Sequence, residues 1–61
     1  MKIIIESYDN NGELDIRIGK YQYKYFDVGP YHYRQIARFL RWRNYKKLFP
    51  YLKKFKFERL N

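Results

Sequence analysis

Two glycine-marked turns, Asn11-Gly12 and Gly19-Lys20, leave the first half of this chain little choice of fold. Asn-Gly accepts positive φ at both central positions of a type I′ hairpin turn. Gly-Lys suits type II′, which places its glycine first. Between the turns, Leu14, Ile16 and Ile18 alternate with Asp15 and Arg17, the period of a half-buried strand. Residues 2–8 come before them, short and β-branched, and read as another strand. Tyr21, Tyr23 and Tyr25 follow, alternating with Lys20, Gln22 and Lys24 to give a third strand with one tyrosine face. The expectation for residues 1–28 is a three-stranded antiparallel β-meander.

Gly29-Pro30 ends that pattern. Proline has a preset φ and no N–H to lose, so it fits the first position of a helix. From there Tyr33, Ile36, Ala37 and Leu40 recur at helical spacing, as a face packed on the sheet requires. The predicted main α-helix occupies residues 29–43. Asn44 is a candidate cap for a second helical piece starting at Tyr45. Pro50 predicts a break or restart near Phe49. Residues 55–60 alternate as a strand does, but also suit a helix continued from Pro50. Residues 44–61 are therefore read as a basic extension, helical or mixed. The expected class is α+β, in one small domain.

A chain of 61 residues buries little, and without cysteine it has no disulfide or thiolate metal site to hold it together. Its bulk comes from eight Tyr, five Phe and one Trp, large rings that suit a thin core. The longest apolar run is Ile3-Ile4-Ile5, far short of the roughly 20 residues of a membrane span. The start of the chain lacks the apolar stretch of an export signal, and the expected location is cytoplasmic.

Catalysis needs convergent, tunable groups. The single histidine, His32, falls at the helix start and reads as a surface or capping residue. Ser7 is the only serine and there is no threonine. Asp9, Glu13 and Asp15 surround the first hairpin but lack the oxygen-ligand spacing of a calcium loop, and read as turn and solvent residues. Each of the three glycines has a turn to explain it, so no phosphate loop is present. No enzymatic activity, metal or cofactor is expected.

The charge is lopsided. Residues 1–30 hold four cations against five carboxylates, while residues 31–61 hold ten cations against Glu58 alone. Crowding like charges costs stability through self-repulsion, which argues for a partner of opposite sign. Arg34, Arg38 and Arg41 recur on one helical stripe. Arg43, Lys46 and Lys47 continue it into a nearly continuous ridge, and Lys53 and Lys54 extend it. Cations that neutralise phosphates release condensed counterions and bind without sequence preference. Arginine forks onto phosphate oxygens. Tyr31, Trp42 and Tyr45 interleave with the ridge, and rings beside cations can stack unpaired bases, with Trp42 and Tyr45 the expected platforms. The expected partner is nucleic acid, RNA ahead of DNA. An acidic protein surface is the alternative, since Arg, Trp and Tyr also concentrate in interface hot spots. On that reading the chain is a viral or mobile-element module that docks on a host protein and modulates it. A membrane surface is disfavoured because the helix needs its apolar stripe for the sheet.

Residues 4–42 resemble a KTSC domain, a short module at the C-terminus of some lysyl-tRNA synthetases and also found as a free-standing protein. The resemblance rests on Tyr23-Lys24-Tyr25-Phe26-Asp27-Val28 in the place of the Tyr-x-Tyr motif. Tyr8-Asp9 and Leu14-Asp15-Ile16 come before it, and the helix start Pro30–Tyr33 follows. It implies RNA binding by association. The pattern ends where such domains have a Ser-Lys-Gly-type turn and Phe-Asn. Here residues 41–49 are far more basic and lack the glycine. Tyr23 and Tyr25 share a strand face and are expected in the core.

Overall fold

The computed structural model describes residues 2–61. Strands β1 (Ile3–Tyr8), β2 (Leu14–Ile18) and β3 (Tyr21–Tyr25) form the expected meander. Helices α1 (Pro30–Arg41) and α2 (Tyr45–Leu52) follow, then a short strand β4 (Phe57–Arg59). The sheet has four antiparallel strands in the order β1-β2-β3-β4. The α+β class is therefore present; the second helical piece starts at Tyr45 as expected, and the extension adds a fourth strand to the expected three-stranded meander.

The turns differ in how closely they follow the sequence pattern. Gly19 alone has positive φ in its two-residue loop, as type II′ requires, and Ile18 pairs with Tyr21 across it. The first hairpin is not type I′. Gly12 (φ +80°) is its one left-handed residue, and its N–H reaches the Asp9 carbonyl at 3.1 Å. This is the three-residue turn that ends in a left-handed glycine. The Asp9 carboxylate stabilises it by accepting from the Asn11 and Glu13 N–H groups. Gly12 also packs on the chain leading into α1. A Cβ there would lie 3.1 Å from the Val28 nitrogen and would sit at positive φ, so any other residue crowds the helix entry and strains the turn.

β1 carries a bulge that the sequence does not announce. Ile5 pairs with Ile16 and Ser7 with Asp15, leaving Glu6 as the extra residue. The bulge shifts the side-chain alternation by one. Ile3, Ile5 and Tyr8 therefore all face the helices, although 5 and 8 are out of phase in a regular strand.

The core lies between the sheet and the helices. Leu14, Ile16, Tyr25, Val28, Ile36, Leu48 and Leu52 are buried, and Tyr23 is half-buried beside them. Tyr23 and Tyr25 thus belong to the packed face rather than to an exposed platform. The opposite face of the sheet is polar. There Arg17 meets Glu6 at 3.2 Å, Lys24 meets Glu13 at 3.2 Å, and the Ser7 hydroxyl donates to Asp15 at 3.0 Å. Asp15 is accordingly an internal partner of the sheet face and not a solvated turn residue.

α1 ends two residues earlier than expected because Arg43 turns left-handed (φ +54°). The Asn44 N–H returns to the Phe39 carbonyl at 2.8 Å and the Arg43 N–H to the Leu40 carbonyl at 3.1 Å, which closes the helix in a Schellman motif. Asn44 stands at the N-cap of α2, but its side chain makes no capping bond; its carbonyl accepts from Lys47 and Leu48 instead. Pro50 sits inside α2 and does not break it. The carbonyl deprived of a partner is that of Lys46, on the face where Lys46 and Pro50 are both exposed, so water can replace the missing N–H.

β4 resolves the ambiguity of residues 55–60 in favour of a strand. Tyr23 pairs with Arg59, Lys24 with Glu58 and Tyr25 with Phe57. The Phe26 N–H donates to Lys56 and the Leu60 N–H to Gln22. The Asn61 side chain bridges the Gln22 N–H and the Lys20 carbonyl. Among the described residues no helix is long and apolar enough to cross a membrane.

Candidate nucleic-acid interface

α1 buries Ile36 and turns its opposite side to solvent. Tyr31, Arg34, Arg38 and Arg41 are all exposed there, as their spacing requires. Tyr31, Arg34, Gln35 and Arg38 line a shallow groove of about 360 Å³ together with Tyr33 and Ala37. Trp42 follows at the C-cap, its N–H on the Arg38 carbonyl at 3.0 Å. Trp42 is 66% exposed and Tyr31 67%.

The remaining cations do not continue this stripe as one ridge. Arg43 turns away with the left-handed residue and shares a groove with Lys2, Ile3, Ile4, Leu40 and Tyr45. Tyr45 is half-buried and tilted against Phe49, which makes it a poor stacking platform. Lys46, Lys47 and Lys54 surround Phe39, Pro50 and Tyr51, and the Lys54 ammonium lies 4.8 Å from the Tyr51 ring centroid. Lys53 lines an apolar groove with Tyr23, Phe49 and Phe57, between α2 and the β3–β4 edge. The ten site residues read from the sequence thus fall in four neighbourhoods. Lys2 joins one of them from the far end of the chain, and no local pattern could have shown it.

His32 is neither a surface residue nor a cap. It is half-buried, with Nδ1 2.6 Å from the Tyr51 hydroxyl and its ring among Tyr31, Tyr51 and Phe55. It fastens α1 to α2, and so sets how the two basic surfaces lie. Among the described residues no group of three or more His, Cys, Asp or Glu side chains stands together to hold a metal ion.

The electrostatics are one-sided. Every one of the ten cations in residues 31–61 is exposed, and among the described residues none forms a salt bridge. The ion pairs all lie on the sheet, where Glu13 and Asp15 raise the pKa of Lys24, first through the Glu13 hydrogen bond.

Comparison with protein-family models, with curated proteins and with solved structures found no match.

Proposed function

We propose that this chain is a non-enzymatic nucleic-acid-binding protein whose helical layer holds phosphates, with RNA preferred to DNA. One observation carries the reading: ten exposed cations, eight of them on the helices and the turns that follow them, and none with a carboxylate partner among the described residues. Unpaired cations close together in so small a molecule repel each other, and a polyanion relieves that repulsion while releasing its own counterions. The preference for RNA rests on the exposed rings beside arginines and on the likeness of residues 4–42 to KTSC domains.

The test is a titration of labelled RNA and DNA at several salt concentrations. Log affinity should fall linearly with log salt, with a slope of about −0.7 per phosphate contact on single strands. Replacing Arg34, Arg38 and Arg41 together by Glu should abolish binding and leave the circular dichroism spectrum intact, because all three side chains point to solvent. Absence of binding at low salt would refute the reading.

A further inference from the structure

We propose that the outer face of α1 binds an unpaired strand of about six nucleotides, with one base stacked on Tyr31, another on Trp42, and the intervening phosphates held by Arg34, Arg38 and Arg41. The inference rests on the nucleic-acid reading above and names the form of nucleic acid that this surface takes.

Tyr31, Gln35, Arg38 and Trp42 follow one another at i, i+4, i+7 and i+11, so they form a single line along the helix. Arg34 and Arg41 lie beside that line on the same exposed side. The Schellman closure and the Trp42 backbone N–H to Arg38 bond keep Trp42 on the helical path, which fixes the spacing of residues 31 and 42 along the helix. Eleven residues of helix rise about 16 Å. A stacked strand advances about 3.4 Å per nucleotide, so about five steps match the rise from residue 31 to residue 42.

Neither ring has a packing role that explains its place. A 61-residue chain has few groups large enough to fill its core, yet two of its rings are left two-thirds in water. Tyr31 touches one ring, that of His32, edge to face at 5.6 Å. Trp42 has no aromatic neighbour among the described residues. Flat apolar surface between guanidinium groups matches an unpaired base beside its phosphates. In a duplex the base faces are covered by their neighbours, and rings on a helix surface cannot reach them.

Trp42 is the only tryptophan, so its emission reports contact at one end of the line. The experiment titrates the intact protein with oligouridylates of about two to ten nucleotides and with a duplex of similar length, at low salt. Single strands should quench the emission, and affinity should climb with length to about six nucleotides and level off. Tyr31→Ala should weaken binding of the longer strands about tenfold, while Tyr31→Phe, which keeps the ring, should bind as the parent does. A duplex that binds equally well with unchanged emission, or a Tyr31→Ala protein with unchanged affinity, overturns the stacking inference but leaves phosphate binding standing. Failure of single strands and duplex alike to bind overturns both.

Discussion

Tyr8 lies flat against Tyr33, with ring centroids 4.2 Å apart and planes within 5°. The stack joins β1 to α1, and the Tyr8 hydroxyl donates to the Val28 carbonyl at 2.6 Å. One side chain therefore fixes both the approach to the helix and its first turns. Tyr8→Phe keeps the ring but leaves the carbonyl without this donor, and should cost about 1 kcal/mol in urea unfolding. Tyr8→Ala should cost about 3 kcal/mol. A double-mutant cycle with Tyr33→Ala should give a coupling of about 1 kcal/mol. Coupling near zero would mean that the two rings contribute only as separate buried surfaces.

Arg43 occupies the left-handed position that normally belongs to glycine at a helix end. An L side chain there costs about 1–2 kcal/mol, partly offset by the smaller entropy an arginine loses on folding. Arg43→Gly should therefore raise stability by roughly 0.5–1 kcal/mol. If Arg43 contacts a phosphate, the same change should reduce the salt slope by about one contact. A variant that is both more stable and equally good at binding would place Arg43 outside the interface.

Burial, and to a lesser degree the neighbouring Tyr23, pushes the Tyr25 phenol above its ordinary pKa; Tyr51 is raised chiefly by desolvation, and Lys24 by its carboxylate partners. All three hold their protons more tightly in the folded chain than in the unfolded one. Their contribution is fully present below about pH 10 and is lost as the pH climbs through the raised values. The melting temperature should therefore hold up to about pH 10 and fall as the pH rises beyond it, as read by circular dichroism. Tyr25→Phe should show a shallower fall over the same interval. An equally steep fall would assign the alkaline loss to other groups.

Much of the fold is written in local patterns. The alternation of 14–18, the Gly19-Lys20 turn and the Gly29-Pro30 boundary each specify their structure through neighbours in sequence. What was not legible depends on contacts made far along the chain. The bulge at Glu6 has no glycine to mark it and exists because both Ile5 and Tyr8 must face the helices. β4 is three residues long and is a strand because β3 offers it an edge. Pro50 could be kept in α2 because Lys46 and Pro50 face solvent, which periodicity alone does not decide. The arginine stripe could be read from helical spacing. Its separation from Arg43 and Tyr45 could not, because a single backbone angle at residue 43 turns the chain away.

The division between the two faces has a kinetic consequence. The open face of the sheet carries Glu6, Glu13, Asp15 and Glu58 against Arg17 and Lys24, while the helical layer is almost wholly cationic. Such a molecule carries a dipole directed from the sheet face toward the helices, and the field of a long polyanion exerts a torque on it before contact. Tumbling is then biased so that the helices arrive first. A larger share of collisions becomes productive, and capture is faster than random orientation allows, an advantage that fades as added salt shortens the reach of the field.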